Sequence, residues 1–304
     1  MPKDAHVGPV PPEGYAEAVQ FIASGGGSDA LASAQAALLD DVLSKRGAGA
    51  RLLWWARRAR RCVAAAVVVL SPGRIGMLFS CPVEAPGVLA GELAEVVHGV
   101  SRGALDRGAA FVQSLTDPAV AQWAPVLAAA GFQRLAELIY MRLDLSAAAA
   151  DEAPGLVWRS YGEFTEEELS RVIAASYGGS LDCPRLAGLR TMHDVIAAHK
   201  RSGKFTPESW WLVHLAGGGH SPAGCVLVND VDVTTAELVY LGVVPACRGR
   251  GLGAAMVQGA AAQVRRRGTQ AMTLAVDVEN IYARRIYERL GFVETQRRLA
   301  HMLV

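Results

Sequence analysis

The sequence predicts a mixed α/β fold, with an α+β mixed sheet, built as two tandem units of one kind. Three observations carry this. The chain has 304 residues, a length that suits two ordinary domains. Each half ends in the same order: strand, helix, Gly-Phe, final strand, with Gly131-Phe132 in one and Gly291-Phe292 in the other. Each half also carries an earlier pair of apolar strand patterns joined by a short turn. Consecutive hairpin strands followed by strand–helix–strand give a mixed sheet, not a doubly wound one. Self-similarity over half the chain points to a duplicated unit.

In the first half, residues 1 to about 12 read as poorly ordered. Helical patterns follow near Tyr15 to Ser24 and Asp29 to Lys45, then a strand near Leu52 to Ala56. Val63 to Leu70 and Ile75 to Cys81 are strands joined by Ser71-Pro72-Gly73, a turn sequence. A strand from Ala110 to Leu115, a helix from Pro118 to Ala130 and a strand from Leu138 to Leu145 complete this half. A linker rich in alanine, Ser146 to Pro154, places the boundary between domains 1–147 and 155–304.

The second half reads as strand 156–159, helices 164–176 and 184–201, and strands 209–216, 222–229 and 234–244. Helix 251–267, strand 271–276, helix 280–290 and strand 296–303 follow. Glu166, Glu167 and Glu168 favour the start of the first of these helices, where acidic side chains meet the positive end of the helix dipole.

Composition excludes several classes. With 30 basic and 29 acidic residues and a net charge of +1, no strong field covers the molecule, which argues against broad nucleic-acid binding. The runs Arg57 to Arg61 and Arg265 to Arg267 read as a solvated turn and a helix end. Five cysteines, an odd number without a CxxC pair, disfavour a disulfide framework or zinc site and suit a reducing, cytoplasmic compartment. The start lacks a signal-peptide pattern, and no apolar stretch approaches membrane-spanning length. His193, His199, His214, His220 and His301 show no metal spacing, so no metal site is expected.

The chemistry concentrates in one segment. The apolar strand Glu237 to Val244 leads into Arg248-Gly-Arg-Gly251-Leu-Gly253 and an alanine-rich helix. Glycines let backbone N–H groups approach an anion, the helix N-terminus favours negative charge, and arginines match phosphate oxygens. A Walker A loop would need Lys-Ser/Thr after the last glycine, where Ala254-Ala255 stand. A dinucleotide fingerprint needs GxGxxG, and the chain has GxGxG.

The remaining pattern, Arg/Gln-x-x-Gly-x-Gly/Ala, is met by Arg248, Gly251 and Gly253. Downstream, Asn280, Ala283, Ile286, Tyr287, Leu290, Gly291 and Phe292 follow Asn-x-x-Ala-x-x-hydrophobic-Tyr and Leu-Gly-Phe. On these residues the second half, about 155–304, resembles the GNAT superfamily of N-acetyltransferases, and the whole chain resembles two tandem GNAT domains. The resemblance implies acetyl-CoA in a V between strands 234–244 and 271–276. It implies pantetheine contacts from Leu241, Gly242, Val243 and Val244, and pyrophosphate contacts from Arg248, Gly249, Arg250, Gly251, Leu252, Gly253 and Ala254. Asn280 would touch the cofactor arm and Tyr287 would lie near the thioester sulfur.

Acetyl transfer to an amine needs a neutral amine, a stabilised oxyanion and a protonated leaving thiolate. A backbone N–H near Val243 suits the oxyanion, and Tyr287, with an ordinary pKa of ~10, suits the thiolate. Glu237 is the first candidate for general base, with Asp277, Glu279 or a water chain as alternatives. A regular strand would put Glu237, Val239, Leu241 and Val243 on one face and Tyr240 on the other, and a bulge would break that parity. Of Trp210 and Trp211, adjacent on a strand, one is expected in the core, and for the other a structural place and one beside an acceptor groove both stay open.

The first half departs from the pattern. Cys81-Pro-Val-Glu-Ala-Pro-Gly stands where the loop should be, with two prolines that lack N–H donors and an acidic Glu84. Leu127 falls where Tyr287 stands and Val120 where Asn280 stands. This half resembles a degenerate copy that supplies scaffold or one wall of the acceptor site. The expected activity is acetyl transfer from acetyl-CoA to a primary amine of a small molecule, by direct attack in a ternary complex. A non-catalytic CoA-sensing or protein-interaction module is the alternative. Monomer and homodimer both stay open.

Overall fold

The computed structural model describes residues 5–25, 30–44, 51–146, 155–217 and 221–304. The first four residues, nearly all of the linker Ser146–Pro154, and His220 lie outside them. By its internal contacts the chain divides into two units, residues 1–135 with 299–304, and residues 136–298.

The first unit begins with β1 (His6–Pro9), α1 (Tyr15–Ser24) and α2 (Ala30–Ser44). β1 corrects the expectation of disorder up to residue 12: it pairs antiparallel with β2 (Arg51–Arg58). Then come β3 (Arg61–Ser71), β4 (Ile75–Ser80), α3 (Ala90–Asp106), β5 (Phe111–Thr116) and α4 (Trp123–Ala129). The arginine run 57–61 is the β2–β3 turn, with Ala59 and Arg60 left-handed. α3 is an element that the sequence reading missed, although Leu93, Val96, Val97, Val100 and Ala104 are buried along one face at helical spacing.

Two strands trade places between the halves. β6 (Gln133–Asp144), the last strand of the first half, pairs antiparallel with β11 (Ala271–Asp277) of the second unit over seven register positions, Ala271↔Asp144 to Asp277↔Leu138. The C-terminal end of β12 (Val293–Leu303) pairs with β5, Leu303↔Val112 to Leu299↔Thr116. The boundary between units therefore falls at residues 135/136 and 298/299, away from the linker where the sequence expectation cut the chain.

The second unit continues with β7 (Leu156–Ser160), α5 (Glu166–Tyr177), α6 (Met192–Arg201), β8 (Trp210–Leu215), β9 (Gly224–Asp230), β10 (Thr235–Val243), α7 (Leu252–Arg266), then β11, α8 (Ile281–Arg289) and β12. Its strands run in the order β6-β11-β10-β9-β8-β7. Capping boxes fix the starts of α5, through Thr165 and Glu168, and of α6, through Thr191 and Asp194. The expected single helix 184–201 is instead a 3-10 turn at Pro184–Leu186, a left-handed Gly188, and then α6.

The sheet of this unit is covered by two separate cores. α7 and α8 pack Met256, Val257, Ala260 and Tyr287 against Met141, Met272 and Leu274. α5 and α6 pack Leu169, Ile173 and Ile196 against Leu212, Cys225 and Leu227. Trp211 belongs to the first core and Trp210 to the second, and both are buried. Neither faces a groove, so the structural alternative holds: on a strand covered on both faces, alternation sends both rings into cores. α7 lies close to the sheet because Gly259 has no side chain, and a Cβ there would stand 2.4 Å from the Trp158 ring.

Candidate active site

The site grows from the way β10 leaves its neighbours. β10 and β11 run parallel but pair only at Thr235↔Ala271, Ala236↔Met272 and Glu237↔Thr273. Beyond Glu237 the strands part, and the β11-facing edge of Leu238 to Val243 is left unpaired among the described residues. A parallel pair that splays in mid-sheet leaves backbone donors and acceptors open to a ligand.

On its other edge β10 pairs with β9 with a shift between Leu238 and Tyr240. Val239 is the extra residue of a bulge. The bulge inverts the regular-strand expectation. Ala236 and Leu238 before it, and Leu241 and Val243 after it, all pack on the α7/α8 side. Val239 and Tyr240 turn to the α5/α6 side, where the hydroxyl of Ser202, the C-cap of α6, donates to Glu237 Oε2 at 2.8 Å. Glu237 thus shares a face with Tyr240 and not with Leu241.

Tyr240 and Ser176 share a hydrogen bond of 2.7 Å, and Tyr240 stacks obliquely on His199 with centroids 5.3 Å apart. His199 is held neutral: burial, with the nearby Arg190 charge, pushes its pKa down to about 4. The strand is also tightly bound by neighbours at Gly242. A Cβ on Gly224 of β9 would stand 2.1 Å from the Gly242 carbonyl oxygen.

After β10, Pro245–Cys247 makes one 3-10 turn. Gly249 and Gly251 adopt φ of 73° and 76°, the left-handed region that favours glycine. Gly251 is the N-cap of α7. Ala255 N–H bonds the Gly251 carbonyl, but no N–H from Gly249 to Ala254 donates within the protein among the described residues. Gly249, Arg250, Gly251, Leu252, Gly253 and Ala254 therefore form a concavity of free donors at a helix start. Arg250 is exposed.

Arg248 behaves differently. Its Nε donates to the Val243 carbonyl at 3.0 Å, and its two terminal nitrogens donate to the carbonyls of Gly178 and Ser176 at 2.6 Å each. The side chain thus ties the loop to the end of α5.

At the end of β11, Asp277 is buried, and its Oδ2 accepts from Cys183 N–H at 3.2 Å. Asp277 N–H donates to Asp182 Oδ1 at 3.4 Å. Desolvation and the Asp277 charge raise the Asp182 pKa. Asn280 is the N-cap of α8, its Oδ1 accepting from Ala283 N–H at 3.3 Å, so that side-chain oxygen already has a partner. Tyr287 is buried against Phe292 with ring centroids 5.6 Å apart. Burial, with the Asp182 charge, raises its pKa above the ordinary phenol value. Gly291 and Phe292 close α8 by bonding back to the carbonyls of Glu288 and Tyr287.

The first unit repeats part of this frame. Gly131 and Phe132 close α4 in the same way, bonding the carbonyls of Ala128 and Leu127, which sets Leu127 at the place of Tyr287. β4 and β5 pair in parallel at three positions, Ile75↔Phe111 to Met77↔Gln113. β4 has an unbroken register with β3 from Ser71↔Ile75 to Ala66↔Ser80, so it lacks the bulge. The loop after it is closed by turns at Pro82–Ala85 and Ala85–Val88.

Comparison with known proteins agrees with this geometry. Residues 182–292 match the Acetyltransferase (GNAT) family. A mycothiol acetyltransferase from Beutenbergia cavernae is 35% identical over 187 residues, 58% of this chain and 60% of the relative. One from Geodermatophilus obscurus is 28% identical over 186 residues, covering 53% and 54%. The chain thus spans somewhat over half the length of these curated relatives. Among solved structures, a GCN5-related N-acetyltransferase from Sphaerobacter thermophilus superposes with a TM-score of 0.64 at 19% identity, covering 100% of this chain and 96% of that one. A tandem GNAT protein from the clavulanic acid biosynthesis pathway gives 0.51 at 14% identity, covering 99% and 98%. Splayed strands, glycine loop, capped helix and sequence match converge: residues 182–292 belong to an acetyltransferase domain of the GNAT family.

Proposed function

We propose that this chain transfers an acetyl group from acetyl-CoA to the primary amine of a small molecule, by direct attack in a ternary complex. The observation that carries the reading is the set of free N–H donors from Gly249 to Ala254 beside the unpaired edge of β10. The donors fit a pyrophosphate, and the open edge fits an extended amide-bearing arm, which can pair with it as a strand would. Resemblance to the mycothiol acetyltransferases makes the unacetylated amine precursor of mycothiol the acceptor we propose.

Each proton then has a place. Glu237, directly or through a water, takes the proton of the incoming ammonium and leaves a free amine. The amine attacks the thioester carbonyl, and a backbone N–H on the open edge of β10, near Val243, stabilises the oxyanion. As the C–S bond breaks, Tyr287 gives its proton to the sulfur. Burial keeps Tyr287 protonated. A thiolate formed in the same apolar surroundings is raised by the same desolvation, so the two groups stay matched. Arg250 and the loop amides hold the pyrophosphate, and Leu241 to Val244 hold the arm.

Calorimetry with acetyl-CoA, and thiol release with the mycothiol precursor and a panel of small amines, test this reading. Micromolar binding and precursor-dependent thiol release are expected. Tyr287→Phe should lower kcat about a hundredfold with acetyl-CoA affinity unchanged. Absence of acetyl-CoA binding overturns the reading. Binding without thiol release to any amine would leave a CoA-sensing module.

A further inference from the structure

The face of the second unit that carries Glu237 is only partly covered. α5 and α6 pack over β8, β9 and β10. Past β10, the same face continues onto β11 and β6. The register sets its rows: Glu237, Thr273 and Arg142 lie side by side, and next to them Ala275 faces Tyr140. The alternate residues of these strands, Leu238, Leu274, Ile139 and Met141, lie in the α7/α8 core, which leaves Glu237, Thr273, Ala275, Tyr140 and Arg142 on the opposite face. Ala275 is exposed although its strand lies between two others. A small residue laid bare in mid-sheet is a floor with nothing of the described protein upon it.

Tyr140 closes the far side of that floor. It is half-buried, and its hydroxyl makes no hydrogen bond to another described residue. The Glu237 carboxylate and the Arg298 guanidinium both act on it electrostatically, in opposite senses, while burial raises its pKa. A partly desolvated phenol without a partner suits a ligand oxygen or nitrogen better than it suits packing alone.

We propose that Tyr140, a residue of the first half of the sequence, contacts the acceptor and orients it toward Glu237 across the bare floor at Ala275. This rests on the acetyl-transfer reading above. Two strand spacings separate β6 from β10, about 10 Å. The acceptor is therefore an extended amine with a hydrogen-bonding oxygen well removed from its amino group. Tyr140 acts in recognition, not in bond making, so it governs acceptor affinity and leaves the chemical step alone.

The experiment uses the full chain and the unacetylated mycothiol precursor as probe, titrated by calorimetry with coenzyme A present. Tyr140→Phe keeps the ring and removes the hydroxyl. Loss of one hydrogen bond should weaken probe binding about fivefold, with thermal midpoint and acetyl-CoA affinity unchanged. In steady-state assays the KM for the probe should rise by the same factor with kcat within about twofold, and cysteamine, which lacks the remote oxygen, should react with Tyr140→Phe as with the wild type. Equal probe binding by Tyr140→Phe and wild type overturns the assignment, and so does a wild type that does not bind the probe. Probe binding weakened by Tyr140→Phe, in a protein that releases no thiol with any amine, supports the Tyr140 contact while sinking acetyl transfer.

Discussion

Arg248 and Arg250 stand two positions apart in one loop, and chemistry separates them. Three carbonyls, those of Ser176, Gly178 and Val243, take the hydrogen bonds of the Arg248 guanidinium, whereas Arg250 points into solvent. The spacing of the motif names both residues without distinguishing these roles, because two of the three partners of Arg248 lie at the end of α5, about 70 positions upstream. The two should therefore respond differently to substitution. Arg248→Ala is expected to lower stability by about 1–2 kcal/mol, the range for a few partly exposed hydrogen bonds, measured by urea unfolding without ligand. Arg250→Ala should leave unfolding unchanged and weaken acetyl-CoA five- to tenfold at low salt, with the difference shrinking as salt rises. Equal loss of stability in both variants would remove the distinction.

At the scale of elements, β10 carries most of what the site needs. Its glycine loop and the Asn280–Tyr287–Gly291-Phe292 series were legible because each is a local spacing read along one chain segment. The bulge at Val239 was not, because it exists only against the register of β9. The consequence is large, since it decides that Glu237 and Tyr240 share a face. α3 was legible in principle through its buried i, i+3, i+4 positions, although Pro82, Pro86 and Gly87 just before it read as loop. β9 holds β10 in place at a close approach, Gly224 against the carbonyl of Gly242. Gly224→Ala puts a Cβ 2.1 Å from that oxygen and 2.9 Å from Met256 Cε. Backbone has to move, so a destabilisation of about 2–4 kcal/mol is expected, with acetyl-CoA affinity lowered as the splayed edge shifts. A thermal midpoint and affinity equal to wild type would show that β10 yields at no cost.

At the scale of the whole molecule, the two halves of the sequence are not the two units of the structure. Their common pattern was legible in the paired Gly-Phe helix ends, yet the exchange of β6 and the end of β12 was not, because strand partners are chosen by contacts far apart in sequence. The exchange predicts what cutting the chain at the linker would do. A chain of residues 150–304 lacks β6, so β11 loses the partner that meets it from Ala271 to Asp277. It also loses Ile139, Met141, Leu143 and Leu145 from the core shared with Met272, Leu274 and Val276. Each such side chain contributes ~1.5–3 kcal/mol on burial, and four of them approach the whole stability of a typical domain, ~5–15 kcal/mol. The bare edge of β11 would in addition invite pairing with other chains. Residues 150–304 are therefore expected to aggregate or to unfold without a cooperative transition, and residues 130–304, which restore β6, to regain a cooperative melt and acetyl-CoA binding. Circular dichroism melts and calorimetry on the two chains decide this. A soluble 150–304 fragment that binds acetyl-CoA as tightly as the full chain would show that β6 is dispensable to the fold and the cofactor site of the second unit.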